Sequence, residues 1–94
     1  MSEVIGLRDE VAWFANEMER TLRDNDHKGV WHGMTLKQCL RRLRQETAEL
    51  ERAIEKKETP ARILREAADV ANFAMFIADN AKDELFVLSA RAKP

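Results

Sequence analysis

Apolar residues recur every three or four positions along most of this chain, the period of a helix packed on one face. Val4, Leu7, Val11, Phe14, Met18 and Leu22 form one stripe and predict a first helix from Glu3 to Arg23. Asp9, Glu10, Glu17, Glu19 and Arg20 lie mostly off it. Leu36, Leu40, Leu43, Leu50 and Ile54 form a second stripe, predicting a helix that runs to Lys57. Its start is marked by Thr35-Leu-Lys-Gln38, a capping box in which the Thr35 hydroxyl and the Gln38 side chain satisfy free backbone N–H groups. Lys56 and Lys57 suit the negative end of the helix dipole. A third helix opens with Thr59 as N-cap and Pro60 in the first turn, where its missing N–H costs nothing. Ile63, Leu64, Ala67, Val70, Phe73, Ala74 and Ile77 carry it to Asp79. It is apolar over more than half its circumference, which predicts the central, most buried helix. Leu85 to Leu88, within Lys82–Ala90, predict a short C-terminal helix or an extension of the third, with a frayed tail at 91–94.

Residues 25–34 are the one long loop and hold two of the three glycines, both histidines (His27 and His32) and Trp31. The expected fold is therefore all-α: an antiparallel bundle of three long helices plus a short C-terminal helix, in a single domain over 1–94. Ninety-four residues bury a limited share of their surface, so oligomerisation is expected to complete the bundle. Composition narrows the function. Charged residues make up 35% with a net charge of −1, which lacks the basic excess of a nucleic-acid binder. The single cysteine, Cys39, excludes an internal disulfide framework and suits a reducing compartment. The N-terminus shows no secretory pattern and no apolar run spans a membrane, so a cytoplasmic protein without a membrane partner is expected.

The candidate chemistry lies between positions 46 and 69. Glu46 and Glu49 are spaced i, i+3, and so are Glu66 and Asp69, with sixteen residues between the pairs. Each pair therefore shares one helix face. Folding the chain at Lys57-Glu58-Thr59-Pro60 puts Glu46 level with Asp69 and Glu49 level with Glu66. At ~100° per residue, Glu46 shares an arc with Leu43, Leu50, Cys39 and Ala53. Glu66 lies among Ile63, Val70, Phe73 and Ile77, and Asp69 beside Phe73 and Phe76. Glu49 alone is at the stripe's edge. Half-buried carboxylates that converge need compensating charge. Arg42, Arg62 and Arg65, each four residues ahead of an acid, are one source, and a divalent cation is the other. An all-oxygen donor set suits Mg²⁺ or Mn²⁺ rather than zinc, and no Glu-x-x-His motif points to a di-iron site.

Glu46-x-x-Glu49 followed by Glu66-x-x-Asp69 resembles the signature of the MazG-like, all-α nucleoside triphosphate pyrophosphatases, a superfamily that includes the dimeric dUTPases. Residues 63–72, Ile-Leu-Arg-Glu-Ala-Ala-Asp-Val-Ala-Asn, look like that family's central helix. Lys28-Gly-Val-Trp31 resembles a Lys-Gly-Gly-Trp stretch of some small bacterial and phage members. The resemblance covers Trp13 to Asn80. It departs at Gln45, where the family often has a further acid. The resemblance implies a Mg²⁺-dependent hydrolase, with Mn²⁺ as a substitute, that converts a nucleoside triphosphate to the monophosphate and pyrophosphate in nucleotide-pool house-cleaning. Glu46, Glu49, Glu66 and Asp69 would be its metal ligands and catalytic acids. Asn72, Lys28 and Trp31 would contact substrate, and the protein would be a homodimer or homotetramer. The competing expectation is a non-catalytic helical module for oligomerisation or partner binding, its acids paired with the arginines.

Overall fold

The structure, a computed structural model, describes residues 5–26, 29 and 31–92, the last ten of these as backbone. Among the described residues the fold is all-helical: α1 (Asp9–Asp24), α2 (Leu36–Glu55) and α3 (Pro60–Ala92). No helix among them is long and apolar enough to cross a membrane.

α2 starts where its cap dictates. Gln38 N–H donates to the Thr35 hydroxyl at 3.1 Å, and Thr35 N–H donates to Gln38 Oε1 at 2.9 Å. Its C-terminus closes with two backbone bonds, Glu58 N–H to the Ala53 carbonyl and Lys57 N–H to that of Ile54. This is a Schellman turn with Lys57 in the left-handed conformation at φ 53°. Glycine favours that position; a lysine holds it against steric cost. α3 follows at once, with Arg62 N–H donating to the Thr59 hydroxyl at 3.2 Å. The short connection makes α2 and α3 an antiparallel hairpin.

α3 is the central element and packs against both α1 and α2. Its apolar breadth is thus used on two sides. Cys39 and Ala53 of α2 and Ala68 and Phe76 of α3 are the buried apolar residues of the core among the described residues. Phe73 meets Phe76 edge-on at 5.0 Å.

Two expectations change. The first helix starts at Asp9, not Glu3: residues 5–8 are outside any regular element, with Arg8 extended, and Glu3 and Val4 lie outside the described residues. Ile5 and Leu7 are exposed, so no packing repays helix formation there. At the C-terminus the short separate helix gives way to the other expectation, an extension of the third: α3 runs unbroken through Ala92, past the expected end at Asp79. No glycine or proline interrupts 61–92, and Asp79 and Lys82 pair across one turn. Arg91 and Ala92, expected in a frayed tail, belong to α3; residues 93 and 94 lie outside the described residues.

Candidate metal centre and its cleft

The hairpin brings the two acidic pairs face to face. One carboxylate oxygen each from Glu46, Glu66 and Asp69 lie within 4.8 Å of one another. Glu46 and Glu66 are buried, at 8% and 3% exposure, and Asp69 is half-buried. Glu49 is exposed, with its carboxylate against those of Glu46 and Glu66. The helix phases are thus realised: a cluster of three acids with Glu49 at its solvent edge.

The cluster is under electrostatic stress. Burial pushes the Glu46 carboxyl from 4.5 up to about 7, and its hydrogen bond to Glu49 and the charges of Glu49 and Asp69 push the same way. Burial also raises Glu66, with Arg62 opposing and Glu49 and Asp69 reinforcing. Arg42 Nη2 reaches Glu46 Oε1 at 3.3 Å, and Arg62 Nη2 reaches Glu66 Oε1 at 2.8 Å. Arg65, four residues before Asp69, extends to Asp24 of α1 at 3.0 Å. Glu66 Oε2 is buried with no hydrogen-bond partner among the described residues.

These residues fit a hard divalent cation. The donor atoms of the cluster are carboxylate oxygens only. Mg²⁺ holds oxygens at ~2.1 Å, so two ligands of one ion are at most about 4.2 Å apart. The observed 4.8 Å needs side-chain adjustments of a few tenths of an ångström. An orphaned buried carboxylate oxygen is the atom such an ion would satisfy.

Beside the cluster opens a cleft of about 670 Å³, within the range of small-molecule sites. Glu46, Glu49, Glu66 and Asp69 line it together with Arg42, Arg62 and Arg65. Trp31, Phe73 and Phe76 form an aromatic wall, and Thr21 and Asn25 from the end of α1 add polar groups.

The remaining expected site residues fare differently. Asn72 lines the cleft and is buried; its Nδ2 donates to the Met18 carbonyl of α1 at 3.1 Å. Its Oδ1 is buried with no partner among the described residues. Trp31 also lines the cleft. It stacks on Phe76 at 4.5 Å and on His32 at 4.8 Å, and its Nε1 donates to Asp79 at 2.9 Å. It therefore fastens the loop to α3. Lys28 and His27 lie outside the described residues. His32 is near Asp79, at 3.5 Å, not among the cluster's ligand atoms.

Several contributors escaped the sequence reading. Asp79 and Asn80 receive the loop: Asn80 Nδ2 donates to the Trp31 carbonyl at 3.3 Å. Their signal was present as a polar interruption in the apolar pattern of α3. Thr21 and Asn25 gave no signal, since a threonine and an asparagine near a helix end are ordinary there. Arg62 and Arg65, which their spacing marks only as partners of acids, both also face the cleft.

No family model, curated protein or solved structure matches this chain.

Proposed function

We propose that this chain is a Mg²⁺-dependent nucleoside triphosphate pyrophosphohydrolase of the MazG-like kind, acting on the nucleotide pool. Water attacks the α-phosphorus, the α–β phosphoanhydride bond breaks, and the products are the nucleoside monophosphate and pyrophosphate. The observation that carries this reading is the convergence of Glu46, Glu66 and Asp69 in the wall of a cleft, with Glu66 Oε2 buried and unpartnered among the described residues. Four acids without a counter-ion repel a triphosphate, so a hydrolase built on them requires a cation, which supplies positive charge to the phosphate oxygens and acidifies water.

The chain's own residues take the other tasks. Glu46, Glu66 and Asp69 hold the ion, with Glu49 completing the set from the solvent edge. Glu49, exposed and on the cleft, would also accept the proton of the attacking water. The aromatic wall offers apolar contact to a base, and Asn72 Oδ1 and Asn25 offer polar contact to base or sugar. Lys28 is the candidate for a further phosphate contact.

Self-association belongs to the same reading. Val11, Trp13, Leu36, Leu40 and Ile54 are all exposed, so the apolar stripes of α1 and α2 are broader than α3 covers. A second copy of the chain is the partner that would bury them.

The Arg42–Glu46 and Arg62–Glu66 pairs favour a second reading, a non-catalytic helical module with structural ion pairs. Incubation with Mg²⁺ and a panel of canonical and modified NTPs and dNTPs separates the two. Monophosphate and pyrophosphate are the expected products. Release of orthophosphate contradicts the cleavage point, and no turnover on any substrate leaves the helical module.

A further inference from the structure

Arg62 stands out among the cleft cations by how it is held. Its Nη2 lies 2.8 Å from Glu66 Oε1, and its Nε lies 3.6 Å from Glu58 on the preceding turn. Its side chain is 59% exposed and it lines the cleft. Arg42 is different: its guanidinium sits over the Phe73 ring at 5.2 Å while contacting Glu46, so packing fixes it in place. Arg65 is tied to Asp24 at the end of α1. Arg62 alone of the three combines a short bond to a buried cluster acid with a solvent-reaching side chain that no ring covers.

We infer that Arg62 exchanges partners during the reaction cycle: it neutralises Glu66 while the cluster holds no divalent cation, and turns into the cleft to bind the triphosphate once a cation takes Glu66. The inference rests on the proposed cation-dependent hydrolysis. A cation on Glu66 Oε2 and the guanidinium on Oε1 would stand one carboxylate apart, and their like charges repel, so each weakens the other's hold on Glu66. A displaced guanidinium on the cleft wall meets phosphate oxygens with the fork geometry that binds them in pairs. Arg62 is then a substrate-binding residue in one state and a placeholder for the ion in the other. Cation and nucleotide binding become positively coupled, each aiding the other by the same factor.

Binding measurements test this without turnover. Mn²⁺ affinity is measured by calorimetry for the wild type, Arg62→Gln, Arg62→Lys and Arg65→Gln, with circular dichroism to confirm folding. Removing the competitor should tighten Mn²⁺ binding about tenfold in Arg62→Gln, the size of a charged hydrogen bond. Arg65→Gln removes an equal charge from the same cleft and should change it less than about twofold, as a screened exposed charge does. In Mg²⁺, affinity for an uncleavable α,β-methylene nucleoside triphosphate should fall about tenfold in both Arg62 variants. Arg62→Lys should keep Mn²⁺ affinity near wild type, so it carries the test if Arg62→Gln does not fold. Mn²⁺ affinity unchanged or weaker in Arg62→Gln overturns the exchange, as does an equal gain in Arg65→Gln or undiminished analogue binding in Arg62→Lys. If the wild type binds no Mn²⁺, the cation reading itself falls; if it binds Mn²⁺ indifferent to Arg62, the exchange alone falls.

Discussion

Glu46→Gln should change stability in opposite directions at two pH values in the absence of divalent cations. Glu46 is buried, and its carboxyl is held at about 7 rather than 4.5, chiefly by that burial. A folded-state value above the unfolded one means that the native state binds the proton more tightly. Stability from this group is therefore fully present below pH 4.5 and is lost as pH rises through about 7. At ~1.4 kcal/mol per tenfold change in proton affinity, the loss reaches at most about 3 kcal/mol. Glutamine cannot ionise and escapes it. The variant gives up the protonated carboxyl's hydrogen bond to Glu49, worth about 1 kcal/mol. The balance is a variant about 1 kcal/mol less stable than wild type at pH 4, and about 2 kcal/mol more stable at pH 8.

Urea denaturation at both pH values in EDTA, at one fixed protein concentration, measures this. For a chain this small, 2 kcal/mol corresponds to a midpoint shift of about 1–2 M. Adding Mg²⁺ at pH 8 should raise the wild-type midpoint, because the ion binds only the folded cluster, and leave the variant's nearly unmoved. An equal destabilisation by Glu46→Gln at both pH values would refute the reasoning. It would mean that the Glu46 carboxylate is adequately compensated by Arg42 and that the cluster has no need of a cation.

Three further outcomes are expected. Glu66→Gln should abolish turnover and Mg²⁺-induced thermal stabilisation while leaving the far-ultraviolet circular dichroism intact, since the amide keeps the shape but not the charge of the buried acid. Lys57→Gly should stabilise the hairpin by about 0.5–1 kcal/mol in thermal denaturation, because glycine accepts the left-handed conformation that lysine holds under strain. Light scattering should give a solution mass at least twice the 10.9 kDa of one chain, and Leu40→Glu should lower it by placing a charge on an exposed apolar stripe.

The parts of the fold legible in the sequence were those fixed locally. Thr35 with Gln38, and Thr59 with Pro60, satisfy backbone groups within one turn, so their residue types alone located the starts of α2 and α3. The start of α1 was not fixed in that way. Arg8 makes no side-chain cap, and the stripe from Val4 and Leu7 continued the period past the point where packing supports it. Asp9 and Glu10, acids suited to a first helical turn, were the better marker. The length of α3 was obscured by the polar run Asp79-Asn-Ala-Lys82. Those side chains do not end the helix; Asp79 and Asn80 serve the loop that carries Trp31. A contact between residues 48 positions apart leaves no periodic trace in the chain.

The acidic cluster was legible because its geometry reduces to symmetry. In an antiparallel hairpin, residues equidistant from the turn stand at equal heights. Glu46 with Asp69, and Glu49 with Glu66, are each centred on the peptide between Lys57 and Glu58, inside the Schellman turn. That turn is therefore part of the site. Each residue added to it would move one arm by ~1.5 Å and rotate the facing acids by ~100°, enough to separate oxygens now within 4.8 Å. A lysine in the left-handed position and two specific backbone bonds hold the connection to one length. What the pattern did not reveal was the cleft beside the cluster. Its far wall comes from the end of α1 and from the Trp31 loop, whose approach is set by the packing of α1 and the loop on α3, far from the hairpin's own symmetry. Convergence of the acids thus follows from the hairpin's register, and the cleft beside them depends on tertiary contacts that the register does not encode.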